Sequence, residues 1–266
     1  MIKKNNNYHA MTLIELLVVI SIISVLIAIL IPVLSKVRKQ YKLMVCQSNL
    51  RVIAQAWHMY LDDHNGRFLK RLNANIDYGG YHTDNPAHSE TKRPLNPYLG
   101  LPLIVESESE AVIFRCPCDN GGERPPKMPS FIPSIPFYIS KGTSYQTNPF
   151  IVGPPMACEL PSKQLMDQLN AGIPNATREL VDTPSLLLLV GDYGWNHCWQ
   201  PSPVERIGAW HGRRCDHSLA FLDGHVGYIR IRKGIYINDE YTVLPFDDLY
   251  KLAREIQVEE ECKPLN

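Results

Sequence analysis

The sequence predicts an α+β fold, in which a long N-terminal helix packs on an antiparallel β-sheet with long proline-rich loops. Residues 16–34 form an almost continuous apolar run. Residues 37–60 repeat apolar side chains every three or four positions, which is typical of a helix with one buried face. The rest of the chain has short strand patterns between turn signals and holds most of the 21 prolines.

The length and composition fit one helix and one globular domain. A chain of 266 residues leaves roughly 200 residues for the domain, which is within the usual range. The formal net charge is zero, so no basic excess predicts a nucleic-acid partner. Seven cysteines leave at least one unpaired in a monomer. Some should form disulfides if the domain lies outside the cytoplasm.

The apolar run is long enough to cross a membrane. No charged residue lies between Glu15 and Lys36, a gap of about 20 residues that spans the hydrocarbon layer as a helix. A buried core helix is the first alternative, but such helices seldom lack a polar face over this length. A cleaved secretory signal is the second, and it would carry its small-residue site after the run. Here the small residue, Ala10, precedes it.

Glu15 is the unusual residue of this segment, because a carboxylate inside a spanning helix is costly and usually has a partner. Cleavage between Ala10 and Met11 would create a free amine four residues before it. In a fibre, the amine of one subunit could pair with the carboxylate of another. The alternative is a carboxylate that lies in the lipid headgroup region.

These residues resemble the signal of type IV prepilins and type II secretion pseudopilins. The resemblance rests on Lys3–Lys4, on the Ala-Met-Thr-Leu-Ile-Glu run of residues 10–15 and on the apolar residues 16–20. It implies that a prepilin peptidase cuts between Ala10 and Met11, that Met11 becomes N-methylated, and that Glu15 is the assembly carboxylate. Pro32 lies where helices of this family often kink. The family usually has Gly in place of Ala10 and Phe in place of Met11.

The resemblance implies a pilin-like organisation and location. Residues 1–10 would be the leader, 11–34 the transmembrane and fibre-core helix, 35–62 its amphipathic second half, and 63–266 the β-rich globular domain. Counting Lys and Arg on the two sides of the span places the C-terminal side in the cytoplasm. The resemblance implies the opposite, a single-pass inner-membrane protein with an extracytoplasmic domain. Its partners would be prepilin peptidase, other pilin subunits and, before assembly, membrane lipid.

The amphipathic half of the helix should run to about Leu61. Its predicted apolar face comprises Val37, Tyr41, Met44, Cys46, Leu50, Ile53, Trp57 and Tyr60. Its predicted polar face comprises Lys39, Lys42, Gln47, Asn49, Arg51 and Gln55. Residues 62–66 should end the helix, with Gly66 in a left-handed conformation.

Residues 46–51 and 60–68 resemble a branch of pseudopilin-like proteins with a C-terminal His…Asp-Gly element. Within it, Cys46 is either a buried core thiol or is disulfide-bonded to Cys116 or Cys118. The matching C-terminal residues are His211, Asp223 and Gly224, with a connecting loop two residues longer than the branch pattern. The resemblance does not establish a role for this element.

The globular domain should contain short elements. The sequence predicts a turn leading to a strand at residues 95–100 and a strand at 112–119. It also predicts a strand and turn at 143–148, and a buried strand at 186–190. Residues 218–229 should form a hairpin around a two-residue Asp223–Gly224 turn, and residues 247–258 a short helix capped by Asp247 or Asp248.

The sequence predicts no catalytic residue, no metal site and no cofactor. Cysteines and histidines concentrate in residues 197–225, which raises a zinc site as an alternative. However, the two cysteines of Cys116-Pro-Cys118 are closer in sequence than the usual pair of zinc-binding cysteines. Residues 238–240 and 247–248 offer oxygen ligands for calcium, but they match no calcium-binding loop. No hydrolase or phosphate-binding motif occurs. Asp192 and His211 could hydrogen-bond across strands in a structural role.

An alternative function is a membrane-anchored extracytoplasmic module for binding or adhesion. An exposed aromatic face for a sugar or a protein would support it. The candidates for that face are Tyr78, Tyr81, Trp195, Trp199 and Trp210. Aromatic side chains more often fill cores, so the sequence favours the structural subunit.

Overall fold

A computed structural model describes residues 12–70, 76–83, 92–122, 135–152, 162–172, 176–198, 210–212 and 215–257. The chain divides into two compact units, one ending at Tyr41 and one beginning at Lys42. The helices are α1 (Leu13–Asp63), α2 (Phe137–Lys141), α3 (Pro149–Val152), α4 (Lys163–Gly172), α5 (Trp195–Cys198) and α6 (Asp248–Ile256). The strands are β1 (Tyr145–Thr147), β2 (Leu188–Asp192), β3 (Asp216–Phe221) and β4 (Val226–Arg230).

The prediction of an α+β fold is confirmed, because the long helix packs on a four-stranded antiparallel sheet in the order β1-β2-β3-β4. β2 and β3 are buried along their whole length. Leu189 and Ala220 point to the core that contains α1, whereas Leu188 and Leu219 point to a second core with α4 and α6. A central strand covered on both faces needs a continuous apolar run, which is what residues 186–190 provide.

The buried face of α1 begins later than the sequence predicted. Cys46, Leu50, Ile53 and Trp57 are fully buried, but Val37, Tyr41 and Met44 are exposed. Asn49, predicted on the polar face, is also buried. Its amide donates hydrogen bonds to the Arg115 carbonyl at 3.0 Å and to the Tyr145 hydroxyl at 3.2 Å. The amide is therefore tolerated in the core, because both of its hydrogen-bond acceptors lie there.

The predicted helix end and hairpin are present with small changes. Gly66 has a φ of 73°, and its N–H donates to the Leu61 carbonyl at 2.7 Å. The hairpin loop contains three residues, Leu222 to Gly224, because the Phe221 N–H bonds the His225 carbonyl and the Gly224 N–H bonds the Phe221 carbonyl. Gly224 has a φ of 91°, the conformation that closes three-residue hairpins. The prediction of a two-residue turn was therefore wrong by one residue.

Two predicted strands are wrong. Residues 112–114 form a 3₁₀-helix, with Phe114 buried and Val112 exposed. Residues 96–99 form a 3₁₀-helix that ends at Gly100, and no strand follows it within the described residues 101–122. Backbone groups there bond to separate partners, as in the bonds from Arg93 to Leu103 and from His82 to Val105. These contacts are tertiary, so local β propensity did not decide the conformation.

The aromatic residues mostly fill the interior. Tyr78 and Trp195 are completely buried, and Tyr81 is 7% exposed. Trp210 is partly buried and donates its indole N–H to the Gly121 carbonyl at 2.7 Å. Trp199 lies outside the described residues. The exposed aromatic face that would support a binding module is therefore not formed by Tyr78, Tyr81 and Trp195.

A buried ion pair anchors the loop region beside α2. Arg93 Nη1 lies 2.6 Å from Asp77 Oδ1, and both side chains are completely buried. Arg93 also donates to the carbonyls of Ile76 and Tyr81. Because both charges are removed from water, loss of either partner leaves the other uncompensated.

We expect Arg93→Met to lower the free energy of unfolding by about 3–5 kcal/mol, since it strands the Asp77 carboxylate in the core. The matched control is Arg232→Met, which removes an exposed ion pair with Glu240 at 3.9 Å and should cost less than about 1 kcal/mol. Denaturant unfolding followed by tryptophan fluorescence measures both. Equal losses in the two variants would contradict the assigned role of the buried pair.

Candidate functional site

The first half of α1 exposes an apolar surface in the described part of the chain. Its most apolar 18-residue window has a mean hydropathy of 3.2, and none of that window is buried. The large apolar side chains from Leu13 to Leu34 are between 43% and 79% exposed. Ser21 and Ser24 donate their hydroxyls to the carbonyls of Val18 and Ile20, each at 2.7 Å. Both serine hydroxyls therefore have partners within the segment, as a lipid environment requires.

Thr12 and Glu15 form a capping box at the start of α1. Glu15 accepts hydrogen bonds from the Thr12 N–H at 2.8 Å and the Thr12 hydroxyl at 2.9 Å. The Glu15 N–H in turn donates to the Thr12 hydroxyl at 3.2 Å. The sequence pattern for this motif is Thr followed three residues later by Glu. The capping box was not among the features predicted from the sequence. The carboxylate therefore has a partner within its own chain.

Pro32 lies inside α1, which continues through it. Proline has no N–H, so the Ala28 carbonyl loses its helical hydrogen bond at this point.

The predicted cleavage site, Ala10 and Met11, lies outside the described residues.

The second candidate site is a buried junction in the globular unit, formed by Cys46, Cys116, Asp192 and His211. A disulfide joins Cys46 of α1 to Cys116, which lies in the loop after the 3₁₀-helix of residues 112–114. The Cα atoms of the two cysteines are 5.2 Å apart. Cys118 is partly buried and is not disulfide-bonded. Of the two pairings that the sequence left open for Cys46, the structure contains the one with Cys116.

Asp192 and His211 meet beside the disulfide. Asp192 is the last residue of β2, and its Oδ2 accepts a hydrogen bond from the Ser218 N–H at 2.8 Å. The same oxygen lies 3.1 Å from His211 Nε2, with the two side chains at most 1% exposed. His211 Nε2 is also 3.7 Å from Cys116 Sγ. The hydrogen-bonded contact between Asp192 and His211, which the sequence analysis suggested, is therefore present.

The neighbouring loop is held by a second carboxylate, which is partly buried. Asp119 accepts hydrogen bonds from the N–H groups of Gly121, Phe137 and Tyr138 and from the Ser144 hydroxyl. Burial raises the pKa of Asp119, and these hydrogen bonds oppose the shift. The loop that carries Cys116 and Cys118 is thereby fixed to α2 and to the start of β1.

His211 is positively charged at neutral pH. Burial alone would lower its pKa, but the Asp192 carboxylate and the Cys118 thiol together raise the pKa of His211 to about 10. The junction therefore contains an imidazolium–carboxylate pair packed against a disulfide.

The structure does not bring the His211 and Asp223–Gly224 parts of the C-terminal element together. Asp223 bonds the His225 ring at 2.6 Å in the hairpin turn, and no hydrogen bond or ion pair joins it to His211 in the described residues. A Cβ at Gly224 would lie 3.5 Å from His58 Nε2, so the turn contacts α1. The two parts thus occupy separate contacts in the fold.

The junction also groups four potential metal-ligand atoms, but two of them are the sulfurs of the Cys46–Cys116 disulfide and are bonded to each other. Its four ligand atoms lie within 4.8 Å of one another, and no other such group occurs in the described residues. Among the residues that the sequence offered for calcium, Asn238 is used locally, since its Oδ1 accepts hydrogen bonds from the Glu240 and Tyr241 N–H groups. The sequence raised the Cys46–Cys116 and Asp192–His211 pairs separately, but no local pattern indicated that the two pairs would meet.

Comparison with known proteins locates one family signature. The prokaryotic N-terminal methylation motif matches residues 5–31. No curated protein and no solved structure matches the chain. The motif supports a pilin- or pseudopilin-type subunit, which is a structural component and not an enzyme. It also fits a single-pass anchor in the inner membrane, and it does not extend to the C-terminal element.

We expect Cys46→Ala to lower the free energy of unfolding by about 4 kcal/mol, because the disulfide closes a loop across a sequence separation of 70 residues. The control is Cys118→Ser, which removes a thiol that forms no disulfide but keeps a hydrogen-bonding group beside His211, and which should change stability by less than about 1 kcal/mol. Non-reducing denaturant unfolding measures both. A stability of Cys46→Ala equal to that of the oxidised parent would contradict the assigned role of the bond.

Proposed function

We propose that this chain is a structural subunit of a type IV pilus or a type II secretion-type fibre, assembled through the first half of α1. In this proposal a prepilin peptidase cuts between Ala10 and Met11 and methylates Met11. The single observation that carries the proposal is the coincidence of the methylation motif with a helix whose apolar side chains are exposed.

The exposed helix supports a role in packing with other subunits. Exposure of apolar surface to water costs about 25 cal/mol of free energy per Å². The apolar side chains of this helix must therefore be covered by lipid or by other helices. Lipid covers it before assembly and neighbouring subunits cover it in the fibre. This sequence of environments needs no change in the fold of the globular unit.

The geometry of Glu15 adds a step to the proposal. In the unassembled subunit the Thr12 N–H and hydroxyl already bind the carboxylate. The free amine of a neighbouring Met11 would compete with them for the same oxygen, and it brings the positive charge that Thr12 lacks. A charged partner binds a buried carboxylate more strongly than neutral donors do.

The globular unit is placed outside the cytoplasm in this proposal. The disulfide between Cys46 and Cys116 supports that side, because such bonds persist in oxidising compartments. The resemblance stated for the N-terminal segment supports it too, against the Lys and Arg count. The assembled subunit would then be displayed in the periplasm or at the cell surface.

Mass spectrometry of the protein isolated from membranes tests the processing. We expect a mature chain that begins at Met11 and carries one additional methyl group on its amine. The same protein from cells without prepilin peptidase should retain residues 1–10. A chain that keeps Met1 in the presence of the peptidase would show a permanent anchor and would overturn the proposal.

Two matched variants separate the charge of Glu15 from its capping role. Glu15→Gln keeps a capping box, since Gln also serves at that position, but removes the charge. Thr12→Val removes the capping hydroxyl and keeps the charge. We expect Glu15→Gln to insert in membranes normally and to fall at least about tenfold in sheared fibres, which corresponds to about 1.4 kcal/mol.

Thr12→Val should remain in the fibre fraction, because the carboxylate is still able to bind an amine. Immunoblots of membrane and fibre fractions give both readouts. Normal fibre incorporation of Glu15→Gln would contradict the assembly role of the carboxylate, whatever the behaviour of Thr12→Val.

A further inference from the structure

The basic residues that follow the apolar run of α1 have no acidic neighbours along the helix. Residues 16–61 contain five Lys and Arg residues and no Asp or Glu, so no carboxylate side chain occurs between Glu15 and Asp62. Three of the five, Lys36, Arg38 and Lys39, lie within four consecutive positions and are all exposed. We call these three residues the basic collar. Its positive charge is not balanced by α1 itself.

The globular unit treats its arginines differently. Arg178 lies 2.7 Å from a carboxylate oxygen of Asp62, and Arg230 lies 2.7 Å from one of Asp216. Within the described residues, no ion pair involves the basic collar. Its two lysines are three positions apart, and like charges at such a spacing on a helix repel each other. An anion from outside the chain would relieve this repulsion.

The proposed membrane span places the basic collar at the depth of lipid headgroups. The apolar run ends at Leu34, and at about 1.5 Å per residue the collar occupies about 3–8 Å of helix beyond it. The headgroup layer on each side of the hydrocarbon is roughly 5–8 Å deep. Tyr41 follows the collar and is 67% exposed, and tyrosine is enriched at membrane–water interfaces. The nearest anions at this depth are lipid phosphates.

We propose that the basic collar binds the headgroups of anionic phospholipids in the leaflet at the C-terminal end of the apolar run. Guanidinium and ammonium groups both donate charge-assisted hydrogen bonds to phosphate oxygens. An anionic headgroup leaves its phosphate charge available to the collar, whereas a zwitterionic headgroup carries a cation of its own. The inference rests on the membrane insertion of the proposed function. It depends neither on cleavage at Ala10 nor on fibre assembly, and it holds for either orientation of the span.

Lipid titration of the full-length chain tests the collar. The protein is purified in a nonionic detergent, stripped of lipid, and titrated with phosphatidylglycerol or phosphatidylcholine, and native mass spectrometry counts the bound lipids. We expect phosphatidylglycerol to bind at least about tenfold more tightly, since each basic residue near an anionic surface contributes roughly fivefold. Equal binding of the two lipids would overturn the proposal. Displacement of phosphatidylglycerol by an equal concentration of inorganic phosphate would also overturn it, because the site would then be one for free phosphate.

Two triple variants with the same loss of charge locate the site. The collar variant replaces all three collar residues with Gln and should lose the preference for phosphatidylglycerol. The matched control also removes two lysines and one arginine, from exposed positions of α4 and α6. Its substitutions are Lys163→Gln, Lys251→Gln and Arg254→Gln. The control should bind both lipids as the parent does, and an equal loss in the two variants would refute the assignment to the collar.

A third variant keeps the charge of the collar and exchanges its side chains. Lys36→Arg, Arg38→Lys and Lys39→Arg together should retain the preference for phosphatidylglycerol, because the lipid is recognised by charge. Circular dichroism verifies the fold of every variant, and the membrane fraction verifies its insertion. Loss of the lipid preference in this folded, inserted variant would contradict recognition by charge.

Failure of this inference is distinguishable from failure of the proposed function. The first residue of the mature chain is measured for the parent and for the collar variant. A parent that begins at Met11 but binds both lipids equally overturns the inference alone. A parent that keeps Met1 but prefers phosphatidylglycerol supports the inference and overturns the proposed processing. A collar variant that begins at Met11 and lacks the lipid preference supports both.

Discussion

The structure of the globular unit depends on the burial of one face of α1 from Cys46 to Leu61. Leu50, Ile53 and Trp57 occupy the centre of the core that the sheet covers. The Cys116 loop reaches this helix through the disulfide, and the hairpin turn reaches it through Gly224 and His58. Loss of helix burial would therefore release the sheet, the loop and the turn together.

Buried polar groups then fix the segments that have no regular secondary structure. Arg93 with Asp77, Asp119 with α2, and Asp192 with His211 each place a carboxylate among several donors. Such groups stabilise a fold only when their partners are in place, since an unpaired buried charge is costly. These groups therefore fix the described segments around the sheet that have no regular secondary structure.

The two halves of α1 obey different constraints. The first half has satisfied serines and exposed apolar side chains, which suits lipid or other helices. The second half has a buried stripe that includes the Asn49 amide and the Cys46 sulfur. One continuous helix thus combines a surface made for other molecules with a surface made for its own domain. The capping box of Thr12 and Glu15 closes the start of this helix.

The sequence by itself determined the features that depend on local pattern. The apolar run, the helix end at Gly66, the buried strand β2 and the β3–β4 hairpin were predictable, because periodicity and turn residues act over a few positions. The Thr12–Glu15 capping box was equally readable. Tertiary structure alone decided the 3₁₀-helix at residues 112–114, the burial of Asn49 and the meeting of Cys46, Cys116, Asp192 and His211. These features join residues up to 165 positions apart along the chain, and no local pattern specifies which distant groups will become neighbours once the core is packed.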